Sequence, residues 1–285
     1  MQALEPSLNE IELTRLFVYP IKSARGIEVS SAAVSELGLE HDRRFMLVDD
    51  GGHLMTARVH PKLLTITPSI EGGCLTVNAP GMPALHFPLE ANGVERSVRV
   101  WTDWMPGLDV GSEVSAWFSD FLGAKVQLVW MPHHAERRMN PAFGTSRISF
   151  VDGNPLHLIN EASLRDLEAR VGAEVAVERF RPNLVVRGAP AFAEDGWTRL
   201  RFPSLELQPC EVCARCMMVN LEPHSGTFSL EPLRTLAMYR RQGKAVLFGH
   251  HLHVLGHGVL RVGERGSASL ETVPLDTRIP QPSSV

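Results

Sequence analysis

The chain has 285 residues, 44% of them hydrophobic, and a net charge of −4 at pH 7. This length allows a sizeable core in one large or two modest domains. The acidic balance argues against a general role at nucleic acids or membrane surfaces, both of which favour a basic excess, and no apolar run is long enough to cross a bilayer.

The first twelve residues carry acidic side chains and lack a basic segment followed by an apolar one. We therefore expect neither a signal peptide nor a transit peptide, and we expect the protein to be cytoplasmic. In a reducing cytoplasm, the four cysteines are expected to be thiols or ligands rather than disulfides.

The N-terminal half is predicted to consist of short strands and one helix. The turns contain aspartate and glycine, which tolerate the left-handed backbone of tight hairpins. The helix has Ser112 as its expected N-cap and Gly123 just beyond its end. The predicted elements are a strand at 13–19, a hairpin at 45–56, a hairpin at 65–77, a strand at 94–101, a helix at 112–122 and a strand at 126–130.

The C-terminal half begins with residues 131–148, which have no clean hydrophobic period and are predicted to form a long loop at a domain junction. Asn160 or Ser163 is expected to cap the next helix, which ends at Gly172. The remaining predicted elements are strands at 183–186 and 205–208, a helix at 229–241, strands within 245–273 and a loose tail at 280–285.

These elements predict a mostly β chain with several helices, of the α+β class, because the helices do not alternate regularly with strands. We place two domains at residues 13–130 and 131–279. Neither a G-x-G-x-x-G sequence nor a P-loop occurs, so the common nucleotide-binding motifs are absent.

Three of the four cysteines, Cys210, Cys213 and Cys216, lie within seven residues. Thiols this close suit a soft or redox-active metal, and Arg215 is expected to favour the thiolate of its neighbour. Three alternatives stay open. The thiols could be inert and buried, they could join a histidine in a structural zinc site, or they could hold an iron–sulfur cluster, for which the usual fourth cysteine is replaced by Asn220.

Several predicted loops pair a basic residue with a hydroxyl, glycine or amide. Charge, directional donors and close backbone approach are what a phosphate-bearing ligand requires. These segments are Lys22-Ser23, Asp42-Arg43, Asp152-Gly153-Asn154 and Arg181-Pro182-Asn183.

The amino-acid sequences of these and other segments resemble those of the MOSC (molybdenum cofactor sulfurase C-terminal domain) proteins. The resemblance is to the branch of this family that has an N-terminal β-barrel domain, which includes the mitochondrial amidoxime-reducing component and its bacterial relatives. The resemblance runs from about residue 13 to residue 273. It rests on Tyr19-Pro20-Ile21-Lys22-Ser23, Asp42-Arg43, Thr56-Ala57-Arg58, Asn160-Glu161-Ala162-Ser163-Leu164, Phe180-Arg181-Pro182-Asn183, Cys213-Ala214-Arg215-Cys216, Glu231-Pro232-Leu233 and Phe248-Gly249.

The resemblance implies a MOSC β-barrel domain, a smaller N-terminal β-barrel-like domain, and a molybdenum cofactor (Mo-molybdopterin) in the cleft between them. Cys216 would be the metal ligand and the catalytic residue. Ala214 stands where relatives usually have Ser, and His250 stands where a Gln is frequent. The implied cofactor-binding residues are Lys22, Ser23, Arg43, Gly153, Asn154, Arg181, Asn183, Ala214, Arg215 and Cys216. We expect the charges of Arg43 and Arg181 to be directed at phosphate rather than at a protein carboxylate.

The implied reaction is the two-electron reduction of N-hydroxylated compounds, such as amidoximes, hydroxylamines and N-hydroxylated bases, to the amine-type product and water. A molybdenum-cofactor or sulfur carrier without turnover is the alternative, and a zinc-binding structural module is a third hypothesis. Candidate proton suppliers are Glu222, His224 and His250.

The reaction needs electrons, yet the chain has no nicotinamide or flavin fingerprint and no cysteine after Cys216. We therefore expect the electrons to come from a separate ferredoxin, flavodoxin or cytochrome-type protein with its reductase. We also expect the protein to be a monomer. The predicted docking face is the basic loop around His133, His134, Arg137 and Arg138.

Overall fold

The computed structural model describes residues 8–270, so the predicted tail at 280–285 and the end of the second predicted domain lie outside it. The α-helices in this range are Ser112–Leu122 (α1), Glu161–Val171 (α2) and Leu233–Tyr239 (α3). Short 3-10 helices lie at Pro61–Thr65, Val177–Phe180, Ala193–Gly196 and Met217–Asn220. The strands are Leu8–Val18 (β1), Ile27–Glu28 (β2), Ser31–Ser35 (β3), Gly38–Leu39 (β4), Phe45–Val48 (β5), Thr67–Glu71 (β6), Cys74–Asn78 (β7), Leu85–Pro88 (β8), Glu95–Val100 (β9), Asp103–Asp109 (β10), Gln127–Trp130 (β11), Leu156–Asn160 (β12), Leu184–Arg187 (β13), Trp197–Phe202 (β14), Leu205–Ala214 (β15), Arg241–Gln242 (β16), Ala245–Leu255 (β17), Gly258–Arg261 (β18) and Arg265–Leu270 (β19).

Seven of these strands close into a barrel. Around the barrel they follow the order β12, β13, β1, β19, β14, β15 and β17, and β17 pairs back onto β12. Neighbours are antiparallel except for β12 and β13, which run parallel. Closure gives each of these seven strands a partner on both sides.

A bulge in β1 decides which of its side chains enter the barrel. Ile11 and Leu13 belong to the interior core, and the pairing with β13 then shifts between Leu13 and Arg15. Because the bulge reverses the alternation, Leu16 is the next residue in the same core. Tyr19 therefore belongs to a second hydrophobic core cluster, which packs against α2 and α3.

The strands outside the barrel form small antiparallel sheets. One sheet has the order β5, β11, β10, β9, a second has β6, β7, β8, and a third joins β18 to β3 and β4. Helix α1 packs on the first two through Trp117 and Phe118, which share a core cluster with Phe45 and Phe87. The indole of Trp117 also donates to the carbonyl of Pro83 at 2.8 Å, which fixes the helix against the loop before β8.

The hairpin predictions have different outcomes. The hairpin at Gly72-Gly73 is confirmed, since β6 and β7 pair on either side of it. The turn at 49–52 also forms, but its second arm makes only isolated bridges, from Leu54 to Val48 and from His53 to Arg99. The reason is that β5 takes β11 as its partner strand, four residue pairs long.

The cap predictions are confirmed for helix α2 and wrong for the start of helix α1. The side chain of Asn160 caps α2 by accepting from the backbone N–H of Ala162, and Gly172 ends it in the left-handed conformation. Ser163 instead donates to Glu194 at 2.5 Å. Helix α1 begins at Ser112, but its N-cap is Gly111. Helix α3 is shorter than the predicted 229–241, because its first turn begins only after Pro232.

The prediction of a mostly β chain with several helices is confirmed. Residues 131–148 form the predicted long loop, crossed by a single bridge between Arg138 and Arg147. The domain limits 13–130 and 131–279 stay a prediction, although β1 lies in the barrel with the C-terminal strands. Within residues 8–270, no helix is both long and apolar enough to span a bilayer.

Candidate functional site

One cavity, which we call the basic cavity, gathers all ten residues that the resemblance assigns to the cofactor. Its volume is about 330 Å³. It lies where segments from both halves of the chain meet, at the ends of barrel strands and before β5. Besides those ten residues, its lining includes Thr56, Arg58, Trp101, Val151, Asp152, His157, Arg179, Phe180, Cys213, Met218, Val219 and His251.

The lining is strongly cationic. Asp152 is the one carboxylate among the described residues that line the cavity, and it faces six basic side chains. Positive charge gathered in a concave, low-dielectric wall favours an anionic ligand. The six basic residues are Lys22, Arg43, Arg58, Arg179, Arg181 and Arg215.

Lys22 is held at the wall by two oxygen atoms. Its ammonium donates to the carbonyl of Phe150 at 2.7 Å and to Oδ1 of Asp152 at 2.5 Å. Burial lowers the pKa of Lys22 to about 8, against the opposing effect of Asp152. Lys22 is therefore charged at neutral pH but loses its charge far more easily than an exposed lysine does.

Arg43 and Arg181 both contact the ring of Tyr19. Their Cζ atoms lie 4.1 and 4.3 Å from the ring centroid, within cation–π range. Their hydrogen-bond partners differ. Nη1 of Arg43 donates to Oδ2 of Asp42 at 2.5 Å, whereas Nη1 of Arg181 donates to the carbonyl of Ala24 at 2.7 Å.

The expectation that both charges avoid protein carboxylates is wrong for Arg43. Asp42 is fully buried and also accepts the backbone N–H of Tyr19 at 2.8 Å, so it needs the guanidinium as its counter-ion. Nη2 of Arg181, in contrast, is buried and has no hydrogen-bond partner among residues 8–270. Burial and the charge of Arg43 lower the pKa of Arg181 to about 10. An anion bound in the cavity would therefore give the buried Nη2 of Arg181 a hydrogen-bond partner and balance its charge.

Three of the assigned residues hold a left-handed backbone although none is glycine. The φ angles are 71° at Ser23, 47° at Arg43 and 53° at Arg181. Such a conformation costs about 1–3 kcal/mol per residue and is found most often at functional sites. Their concentration around one cavity supports its assignment as a ligand site.

The two assigned amides play different roles. Asn154 donates to Oε1 of Glu211 at 2.8 Å, and its Oδ1 is buried without a partner among the described residues. Asn183 uses both ends of its amide on the barrel: it donates to the carbonyl of Phe17 at 3.1 Å and accepts the N–H of His157 at 3.2 Å. Asn183 therefore joins β1 to β12 at the cavity wall.

The clustered cysteines have different surroundings. Cys210 and Cys213 lie on β15, and burial raises the pKa of Cys210 to about 12 and also raises that of Cys213. Cys216 follows the strand, is exposed and lines the basic cavity. All four cysteines of the chain are free thiols, and residues 8–270 contain no group of three or more His, Cys, Asp or Glu side chains placed to share a metal ion. The zinc and iron–sulfur alternatives therefore find no common ligand set here.

Arg215 braces the cavity wall. Its Nε donates to the carbonyl of Phe248 at 2.7 Å, its Nη1 donates to the carbonyl of Phe180 at 3.2 Å, and its Nη2 contacts Nε2 of His157. Burial and Arg215 hold the pKa of His157 well below its usual range. These contacts indicate that the imidazole of His157 is neutral, accepts a hydrogen bond at Nε2 and carries its proton on Nδ1.

Sequence reasoning did not find His157 and His251 as cavity residues. Their rings lie 5.5 Å apart, and burial lowers the pKa of both. Strand alternation could have indicated the position of His251, because His251 faces the cavity while its neighbour His250 faces the other side of β17. Nε2 of His250 contacts Oδ1 of Asp195 at 3.0 Å.

The candidate proton suppliers therefore do not meet at this cavity. His250 is buried, and neither His250 nor Glu222 belongs to the described lining of the basic cavity. His224 lines a neighbouring cavity instead.

The predicted docking face is only partly available. Arg137 is buried, and it donates to Asp103 at 2.9 Å and to the carbonyl of Val151 at 2.6 Å. It holds the segment that leads to Asp152 rather than facing solvent. His133 and His134 are exposed but pair with Glu90 and Glu95. Arg138 pairs with Glu136 and is exposed.

Comparison with known proteins decides the family. Residues 10–125 match the MOSC N-terminal beta barrel domain, and residues 145–265 match the MOSC domain. Mitochondrial amidoxime-reducing component 1 of Danio rerio is 34% identical over 273 residues, covering 88% of this chain and 83% of the relative. The chain belongs to this MOSC family. Mitochondrial amidoxime reducing component 2 of Rattus norvegicus is 33% identical, and the match covers 88% of this chain and 81% of the relative. Mitochondrial amidoxime-reducing component 1 of Homo sapiens is 32% identical with the same two coverages.

The residues at the basic cavity fit the cofactor that the MOSC family implies. The exposed thiol of Cys216 can ligate a soft metal, and the cationic wall can hold a phosphate. Nη2 of Arg181 and Oδ1 of Asn154 are buried polar atoms that lack partners among residues 8–270. A Cβ added at Gly153 would meet no atom within 4 Å, so the space above its backbone is open to a ligand.

Proposed function

We propose that this MOSC protein is a molybdenum-cofactor-dependent oxidoreductase that reduces N-hydroxylated compounds. In the overall reaction the substrate accepts two electrons and two protons, its N–O bond breaks, and the oxygen leaves as water. When bound, the cofactor supplies a metal that cycles between oxidation states and accepts an oxygen atom. The proposal is supported by amidoxime-reducing relatives that cover 88% of the chain.

One observation carries the proposal most directly: the exposed thiol of Cys216 lies in a cavity with six basic side chains and one carboxylate. Cys216 would hold the metal. Lys22 and Arg181 would bind the phosphate, Arg215 and Asn183 would keep the wall rigid, and Gly153 would allow close backbone approach. The remaining assigned contacts are Ser23, Arg43, Asn154 and Ala214.

The electrons come, in this proposal, from a separate ferredoxin, flavodoxin or cytochrome-type protein with its reductase, since the chain has no nucleotide fingerprint. The protons are taken from water at the open side of the cavity. The four free thiols support a reducing compartment, and we propose the cytoplasm.

The decisive assay uses holoprotein from a host that makes the cofactor, an artificial electron donor and benzamidoxime, with benzamidine as the measured product. Formation of benzamidine supports the reductase. Stoichiometric molybdenum without benzamidine formation would favour the alternative, a cofactor or sulfur carrier without turnover.

A further inference from the structure

A second cavity, which we call the side cavity, adjoins the basic cavity. Its volume is about 230 Å³, and Arg179, Arg181 and Met218 line both cavities. Met218 follows Cys216 by two residues, in the 3-10 helix that begins directly after the thiol. The other lining residues are Phe17, Tyr19, Arg25, Gly26, Glu28, Leu64, Glu178, Leu221, Pro223 and His224.

The floor of the side cavity is apolar and aromatic. Phe17, Tyr19, Leu64 and Leu221 are all 5% exposed or less. Gly26 lies against the Tyr19 ring, since a Cβ there would stand 2.6 Å from Cε1 of that tyrosine. A floor of aromatic and branched aliphatic groups suits an apolar body. The hydroxyl of Tyr19 is buried and has no partner among residues 8–270.

The carboxylates of the side cavity are already paired. Arg15 lies 2.8 Å from Glu28 and 2.8 Å from Glu178. Because Arg181 is assigned to the cofactor phosphate, the unbalanced charge around the side cavity belongs to Arg25 and Arg179. This charge disfavours a cation. An amidoxime is uncharged near neutral pH, whereas the amidine formed from it is a cation, so the site would keep the substrate and release the product.

We infer that the side cavity holds the uncharged, apolar body of the substrate, with its N–O group directed past Met218 into the basic cavity beside Cys216. This inference rests on the proposed function and deepens it by naming a substrate class. Substrates with a large apolar body are preferred to small ones such as hydroxylamine, because only a large body fills the side cavity.

The test compares two substrates on holoprotein variants. Leu64→Trp fills the side cavity from a position outside the lining of the basic cavity. It should raise the KM for benzamidoxime at least tenfold, about the effect of losing a fitted apolar contact, and leave the kinetics of hydroxylamine within about twofold. His224→Trp, at the exposed rim, gives the same comparison without a core change. Met238→Trp, exposed on α3 and in neither lining, is the matched control.

Equal effects of Leu64→Trp and His224→Trp on both substrates, or no effect on either, would overturn the inference while the proposed function stands. Failure of the unchanged holoprotein to reduce either substrate would overturn the proposed function itself.

Discussion

Arg43 and Asp42, neighbours in the chain, form an ion pair at the basic cavity with 2.5 Å between Nη1 and Oδ2. Asp42 is fully buried and Arg43 nearly so. Removing one partner of such a pair leaves an uncompensated charge. Arg43→Gln should therefore lower the free energy of unfolding by about 3–5 kcal/mol, and adding Asp42→Asn should restore part of it. Denaturant unfolding of both variants measures this, and an unchanged stability of Arg43→Gln would show that the pair contributes nothing.

Arg181 should behave in the opposite way. Its Nη2 has no partner among residues 8–270, and no carboxylate within that range pairs with it. Arg181→Gln should leave the melting temperature nearly unchanged while weakening cofactor binding by about 1.5–3 kcal/mol, or roughly ten- to a hundred-fold. Pterin content after gel filtration is the measurement. Full retention of pterin would remove Arg181 from the site.

Lys22 should make anion binding depend on pH. Its pKa is lowered to about 8, so the charged form that attracts an anion is lost as the pH rises through 8. A bound anion raises this pKa again, so binding above pH 8 takes up a proton and its affinity falls by up to about tenfold per pH unit. Calorimetry of cofactor-free protein with pyrophosphate from pH 6.5 to 9.5 measures the slope. Lys22→Arg should flatten the profile, and a flat profile for the unchanged protein would contradict this role.

Gly153 and Gly249 form a matched pair for a methyl-group test. A Cβ at Gly153 meets nothing within 4 Å, whereas at Gly249, with φ of 71°, it would stand 2.5 Å from Ile159 and 2.7 Å from His157. Gly153→Ala should keep the melting temperature and lower cofactor retention, because its methyl group enters the ligand space. Gly249→Ala should lower the melting temperature by several degrees. The same melting shift in both variants would mean that the space above Gly153 is not kept for a ligand.

The electron supply can be tested by omission. The isolated chain with NADH and substrate should show no turnover, and a reductase with its carrier protein should restore it at a rate that falls as salt rises. Arg138→Glu should slow this carrier-dependent rate alone, because Arg138 is the exposed arginine of the loop in which Arg137 is buried. Steady consumption of NADH by the isolated chain would show that the separate donor is wrong.

The sequence predicted residues that the structure gathers in one cavity, such as Lys22, Arg181 and Cys216, because they belong to recognisable motifs; their roles stay predictions. Three features were not visible. The position of β1 in the barrel depends on pairing with residues more than 160 positions away. The burial of Arg137 depends on tertiary contacts with Asp103 and Val151, since the loop looks solvated on its own. His157 was hidden in an apolar strand, where only closure of the barrel turns one face toward a cavity.

The most direct test measures the molybdenum-to-protein ratio together with benzamidoxime reduction in Cys216→Ser and Cys210→Ser made in a cofactor-competent host. Both cysteines lie in one segment, but only Cys216 is exposed in the basic cavity. An alkoxide is a poorer ligand than a thiolate for a soft-ligated metal. Cys216→Ser should therefore abolish molybdenum-dependent activity, while Cys210→Ser keeps most of it. Equal loss in both variants, or full activity of Cys216→Ser, would contradict the assignment of Cys216 as the metal ligand.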